Sequence, residues 1–119
     1  MDGPTIPLLD RQSIDEIRGI ERATGRKDVF SGFVQKLEGM LQGFGPAFSA
    51  CVEGGDGPGA VRAAHTLKGT CRQLGAQALG EAFAEIEALA KAGDYARAKL
   101  KFEACAGLVA ASLEALRRA

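Results

Sequence analysis

The apolar residues between positions 30 and 52 recur at intervals of three and four, and this pattern constrains the fold of the chain most. Such spacing places them on one face of a helix. Gly43, Gly45 and Pro46 interrupt the run, and we expect one helix kinked at Pro46, because proline removes an i→i−4 hydrogen bond. Alternating β-branched residues never form a run long enough for a strand. The sequence therefore predicts an all-α fold. The apolar positions of this helix are Phe30, Phe33, Val34, Leu37, Met40, Leu41, Phe44, Phe48, Cys51 and Val52.

Turn and cap signals divide the chain into five predicted helices, preceded by an extended lead over residues 1–8. In the first helix, Ile14, Ile17 and Ile20 form a narrow apolar stripe, and Ser13-Ile14-Asp15-Glu16 has the pattern of a capping box. The links after the second helix are short, so consecutive helices should be antiparallel. We expect a four-helix bundle with the additional N-terminal helix covering one end. The five helices are expected from Asp10 to Thr24, from about Asp28 past Pro46, from Pro58 to Leu74, from Ala76 to Ala92, and from an Asp94 cap to about Arg117.

The composition excludes several classes of protein. A length of 119 residues predicts one domain spanning residues 1–119. The 15 basic and 15 acidic residues balance, so no net field favours nucleic acid or a membrane surface. Signal-peptide and membrane-span patterns are absent, and Met1 with a short lead suggests a free-standing protein. Cys51, Cys71 and Cys105 match neither a disulfide framework nor a metal site, which favours the cytoplasm.

His65 is the sole histidine of the chain, and the helical pattern places it on the solvent side of the third helix. Its neighbours at three, four and seven residues, Lys68, Gly69 and Arg72, share its face. On a helical wheel this face lies roughly 130° from the centre of the apolar side. The sequence thus predicts an exposed imidazole in a stripe with two cations and one glycine.

These residue types suit the transfer of a phosphoryl group. An accessible imidazole is largely neutral and nucleophilic near pH 7. Lys68 can offset phosphoryl charge, and Arg72 can do the same or contact an acidic partner. Gly69 has no side chain and would allow a partner to approach closely. Residue types alone do not decide which imidazole nitrogen would react.

The segment Ala64-His65-Thr66-Leu67-Lys68-Gly69 resembles the phosphorylation motif of the histidine-containing phosphotransfer (HPt) domain family. The similarity extends over about residues 9–117. It includes the turn at Gly55-Asp56 and, after the histidine, Leu74-Gly75-Ala76, Leu79, Ile86-Glu87 and Lys91-Ala92-Gly93-Asp94. Thr70 and Cys71 stand where the family often has Ser or Ala. The resemblance implies a four-helix bundle with an extra N-terminal helix.

The resemblance also implies a role for each candidate residue. His65 would be the phosphoacceptor and Lys68 the phosphate-side cation, while Gly69 would permit docking of the partner. We also expect Thr66 and Arg72 to contact the partner. Arg72 is bulkier and more charged than the resemblance leads one to expect, and could bias the choice of partner. The partner would be a response-regulator receiver domain or a hybrid sensor histidine kinase, with magnesium on the receiver rather than a cofactor on this chain. The chain would be a cytoplasmic, monomeric phosphoryl carrier without a kinase ATP site or a metal site of its own.

Other functions fit the residues less well. In sensor-kinase dimerisation helices an acidic residue typically follows the histidine, whereas Thr66 follows His65. A haem ligated by His65 is disfavoured, since Lys68 and Arg72 suit an anion better. The main alternative is a non-catalytic helical module that docks receiver or kinase domains without phosphorylation. The presence of both His65 and Lys68 favours the carrier.

Overall fold

The computed structural model describes residues 6–119, which form six helices and contain no strand. The helices are α1 (Arg11–Thr24), α2 (Val29–Glu53), α3 (Gly57–Leu74), α4 (Gln77–Lys91), α5 (Tyr95–Ala104) and α6 (Ala106–Arg118). The predicted all-α class is confirmed, and α2 is continuous through Pro46. Of the predicted extended lead, Ile6, Pro7 and Leu8 lie outside any helix, and residues 1–5 fall outside the described part of the chain.

The helices enclose one hydrophobic core. Helices α2, α3 and α4 pack in sequence, α5 and α6 together take the place of the fourth helix, and α1 lies against α2 and α3. Phe44 contacts Phe83 edge to face at a centroid distance of 5.2 Å and Phe102 at 4.7 Å, which joins α2 to α4 and α5. Phe33 was predicted to face the core but is 46% exposed. None of the described helices is long and apolar enough to cross a membrane.

The last buried residue of α1 is not the one that the sequence predicted. Ile14 and Ile17 are buried, but Ile20 is 53% exposed and Glu21 takes its place inside. The Glu21 carboxylate accepts the backbone N–H of Phe30 at 2.9 Å and pairs with Arg18 at 2.8 Å. The start of α2 has no cap from Asp28, so Glu21 satisfies one of its free N–H groups instead. These hydrogen bonds and the Arg18 charge hold the pKa of Glu21 below its usual range.

Aspartate caps fix the starts of three helices. Asp56 accepts the N–H of Gly59 and Asp94 accepts that of Arg97, which confirms both predicted caps. Asp10 caps α1 by accepting the N–H of Gln12. The capping box predicted from Ser13 is wrong, because the Ser13 hydroxyl donates to Asp10 instead.

The predicted fifth helix is two helices, α5 and α6, separated at Cys105. The N–H of Cys105 bonds to the carbonyl of Phe102, three residues back, at 3.0 Å. This tighter turn ends α5 and redirects the chain. The redirection lets α5 pack mainly on α4 while Leu113 and Leu116 of α6 enter the core beside α2 and α4. Residues 102–106 contain no Gly or Pro, so the local sequence gives no signal for this break.

The cysteines pack as small apolar side chains. Cys71 and Cys105 are buried, Cys51 is half-buried, and all three are free. Burial raises the pKa of the Cys71 thiol to about 12, so it stays protonated at neutral pH.

Glycines set the approach of α3 to its neighbours. A Cβ on Gly80 of α4 would lie 3.0 Å from Cγ of Arg72 on α3, so the two antiparallel helices touch closely at this point. Seven residues back along α3 lies His65, and seven forward along α4 lies Glu87. Seven residues are about two turns, so both positions return to the same faces. The contact at Gly80 therefore sets the register that puts Glu87 opposite His65.

Gly75 provides a test of the junction between α1 and α3. It ends α3 with φ of +89°, and a Cβ there would lie 2.9 Å from the Asp10 carbonyl oxygen. Gly93 has a similar φ of +77° but open space around it. We expect Gly93→Ala to lower the free energy of unfolding by about 1 kcal/mol through backbone strain alone. Gly75→Ala should cost at least about 2 kcal/mol, because it adds the collision.

Urea unfolding of both variants measures this difference. Equal losses of stability would show that α1 does not pack tightly on the end of α3.

Candidate functional site

His65 lies on the outer surface of α3, as the helical pattern predicts. Ala64, Leu67 and Cys71 on the same helix are buried, so the turn of the helix leaves the imidazole outside the core. The His65 side chain is 64% exposed. A partner molecule can therefore reach the ring.

A buried carboxylate that sequence reasoning missed holds this imidazole. Oε2 of Glu87, on α4, lies 3.0 Å from Nδ1 of His65. The Glu87 side chain is only 5% exposed. One signal could have revealed it: Glu87 lies four residues after Phe83 and three before Ala90, on the buried stripe of α4. A charged residue on such a stripe needs partners, and His65 is one of them.

Two lysines complete the surroundings of Glu87. Nζ of Lys68 lies 2.7 Å from Oε1, and Nζ of Lys91 lies 3.2 Å from Oε2. Burial alone would raise the pKa of Glu87, but the contacts with Lys68, Lys91 and His65 outweigh it and lower the pKa to about 2. Glu87 is therefore ionised at every physiological pH, and its charge is compensated from both helices.

The ionised carboxylate decides which nitrogen of the imidazole carries a proton. An ionised carboxylate only accepts hydrogen bonds, so Nδ1 of His65 must carry a proton and donate a hydrogen bond to Glu87. In the neutral ring Nε2 then holds the free lone pair. Because Nδ1 is engaged by Glu87, Nε2 is the nitrogen available for attack. The geometry therefore favours Nε2 over Nδ1.

Lys68, the expected phosphate-side cation, lies one helical turn from His65 on the same helix. Its ammonium is bound to Glu87 and its side chain is only 21% exposed. Without counting His65, the two lysines and one carboxylate sum to one positive charge. The site thus keeps an excess positive charge next to the exposed imidazole, which favours an arriving anion.

The three predicted docking residues do not contact Glu87 in the structure. The Thr66 hydroxyl donates to the carbonyl of Arg62 on its own helix at 2.9 Å. Arg72 pairs with Glu81 of α4 at 2.9 Å, and both side chains are about half-exposed. Gly69 is exposed, and a Cβ there would meet no atom within 4 Å. The fold itself therefore does not require glycine at position 69.

The surface around His65 is open rather than enclosed. A groove of about 610 Å³ lies between α2 and the end of the chain, and its lining includes Leu41, Val109 and Leu113 but not His65. A small groove of about 70 Å³ lies nearer, between Phe33 of α2 and Thr70 of α3. Within residues 6–119, no group of three or more His, Cys, Asp and Glu side chains is arranged to hold a metal ion. Such a site can be covered by a macromolecule more readily than it can enclose a small substrate.

Comparison with protein families decides the assignment. A family model described as Hpt domain matches residues 28–119, which include α2 to α6 and hence both His65 and Glu87. The chain belongs to the Hpt domain family. The resemblance inferred from the sequence is therefore confirmed, and α1 lies before the matched region. No curated protein and no solved structure matches the chain.

Membership of the Hpt family indicates a phosphotransfer role in two-component signalling. Hpt domains are phosphoryl carriers without kinase activity of their own, and they interact with receiver domains and kinases. The exposed histidine and the excess positive charge beside it agree with this class of role.

The hydrogen bond to Glu87 predicts the tautomer of His65. In the unmodified protein we expect the neutral ring to carry its proton on Nδ1. In Glu87→Gln a carboxamide replaces the carboxylate and can donate as well as accept, so this tautomer should no longer be enforced. The ¹⁵N chemical shifts of the imidazole measure the change.

Glu85→Gln is the matched control, since Glu85 lies on the same helix and pairs with Lys101 rather than with His65. An Nε2-protonated ring in the unmodified protein would contradict the geometry.

Proposed function

We propose that the chain is a histidine phosphotransfer protein that carries a phosphoryl group on Nε2 of His65 between receiver-domain aspartates in a multistep phosphorelay. The observation that carries the proposal is the contact of Nδ1 with the buried Glu87 carboxylate, which leaves Nε2 of an exposed histidine free. The sequence motif supplied the candidate, and this contact supplies a chemical reason for it.

The transfer step follows from that arrangement. The Nε2 lone pair of His65 attacks phosphorus in the aspartyl phosphate of a receiver domain. A P–N bond forms, the P–O bond breaks, and its electron pair leaves with the aspartate carboxylate. The ring keeps its Nδ1 proton and becomes positively charged, and the facing Glu87 carboxylate stabilises that charge. Transfer to the next aspartate is the same step in reverse.

Lys68 supplies a fixed positive charge beside the ring. Its ammonium is held on Oε1 of Glu87, so it stays one helical turn from His65 when the dianionic phosphoryl group arrives. It also keeps Glu87 ionised, as the lowered pKa of that carboxyl reflects. We therefore assign Lys68 both electrostatic support of the phosphoryl group and positioning of Glu87.

The partner supplies the remaining chemistry. The aspartate and the magnesium of the exchange are expected on the receiver domain, and the exposed face of α3 is where that domain would lie. Gly69, one turn from His65, leaves room for its active-site loop. Thr66 and Arg72 flank the same face and are proposed to contact the partner. We expect this exchange to take place in the cytoplasm.

The central prediction concerns phosphoryl uptake. Wild-type protein incubated with phosphorylated receiver domains should acquire an acid-labile, alkali-stable label, while His65→Gln should acquire none because the chain has no other histidine. Lys68→Ala should take up label about tenfold more slowly, since both the local charge and the support of Glu87 are lost. Circular dichroism should show that His65→Gln retains its helices, because the ring lies outside the core.

Labelled His65→Gln protein would contradict the assignment. Absence of label from every receiver of the same cell, with binding still measurable, would favour the non-catalytic docking module instead.

Gly69 allows a second prediction. In Gly69→Ala the new methyl group meets nothing within the chain, so the variant should gain up to about 1 kcal/mol of stability from helix propensity. The same methyl group would stand between α3 and the receiver, so phosphoryl exchange should slow severalfold. Stopped-flow or quench-flow transfer kinetics, together with urea unfolding, separate the two effects.

Gly107→Ala is the control, because Gly107 also has open space around it and lies on α6, which does not pack against α3. It should leave the transfer rate unchanged. An unchanged rate in Gly69→Ala would remove Gly69 from the docking surface.

A further inference from the structure

Lys91 is a third side chain on Glu87 that the proposed function does not use. It is the last residue of α4, and its Nζ lies 3.2 Å from Oε2, the same oxygen that accepts the hydrogen bond from Nδ1 of His65. The ammonium of Lys91 is thus held next to the hydrogen bond that orients the ring. It approaches from α4, whereas Lys68 approaches from α3.

One lysine would be enough to balance the Glu87 charge. Lys68 already makes the shorter contact, 2.7 Å, on the other carboxylate oxygen. A second cation on the same carboxylate leaves one positive charge without a matching anion. That excess positive charge lies beside the exposed His65 ring, where a bound anion would neutralise it.

The two lysines differ in how easily they can leave Glu87. The side chain of Lys68 is 21% exposed, whereas that of Lys91 is 63% exposed. When Lys91 departs, the carboxylate still has Lys68 on Oε1 and His65 on Oε2. A lysine side chain is a point charge on a flexible four-carbon stem, so Lys91 can move while its backbone stays in place.

We propose that Lys91 is a mobile cation that leaves Oε2 of Glu87 and binds the phosphoryl oxygens on His65, while Lys68 remains on Glu87. The proposal rests on the proposed function of His65. Lys91 forms and breaks no covalent bond and exchanges only one ionic contact for another. The phosphoryl group then has a positive charge from α4 in addition to the fixed charge on α3.

The competing explanation is that Lys91 only neutralises buried Glu87. The two roles can be separated in a double-mutant cycle, because a lysine that acts through Glu87 has no effect once Glu87 is uncharged. The required proteins are wild type, Lys91→Ala, Glu87→Gln and the double variant. Lys91→Arg tests rescue, since it retains the positive charge.

Each full-length protein is phosphorylated with phosphoramidate, a small donor that needs no receiver domain. The label is unambiguous because His65 is the sole histidine. The ³¹P NMR shift is then followed against pH to obtain the pKa of the phosphoryl group. A bound ammonium favours the dianion, so Lys91→Ala should raise this pKa by roughly half a pH unit, with or without Glu87. Lys91→Arg should restore it.

Lys101→Ala is the matched control, because Lys101 also pairs with a carboxylate of α4, that of Glu85. It should leave the phosphoryl pKa unchanged. An effect of Lys91→Ala that disappears in the Glu87→Gln background, or no effect in either, would overturn the mobile-cation role while leaving His65 as the carrier. A wild-type protein that phosphoramidate labels but phosphorylated receivers do not would instead overturn the proposed function, and with it the relay role of Lys91.

Discussion

The ionised carboxylate of Glu87, enclosed between α3 and α4, is the interaction on which the site depends. Burying a charge costs free energy unless partners compensate it. Here the imidazole of His65 and the ammonium groups of Lys68 and Lys91 lie within 3.2 Å of its two oxygens. The compensation fixes the proton on one ring nitrogen and leaves the other exposed. The same contacts thus compensate the buried charge of Glu87 and fix the protonation of the His65 ring.

The close contact of α3 and α4 makes this arrangement possible. Gly80 allows α4 to approach Arg72 of α3 closely, and the antiparallel register then carries Glu87 to the level of His65 two turns away. A Cβ at position 80 would lie 3.0 Å from Cγ of Arg72 and would force that side chain to shift. The helix caps and the aromatic core serve the site indirectly, because they hold these two helices in register.

The sequence predicted most of the fold because apolar periodicity and aspartate caps are local signals. It predicted the exposure of His65 for the same reason. It missed the break at Cys105, for which the local sequence gives no signal, and the inward turn of Glu21, which depends on contacts with another helix. The sequence showed Glu87 only as one of the residues that resemble the HPt family, because its hydrogen bond to His65 joins residues that are 22 positions apart. Pairings of that kind become visible only when the helices are assembled.

The surface around His65 is open, the ring is held by a hydrogen bond, and an excess positive charge lies beside it. This arrangement suits a phosphoryl carrier whose partner supplies the aspartate and the magnesium. We expect Glu87 to hold Nδ1 and thereby to direct the phosphoryl group to Nε2. The most direct test is ¹⁵N and ³¹P NMR of the protein phosphorylated by a receiver domain, with the bonded nitrogen identified from its coupling to phosphorus. The account predicts phosphorus on Nε2 with a proton retained on Nδ1. Phosphorus on Nδ1 would contradict it, because that atom would then have lost its contact with Glu87.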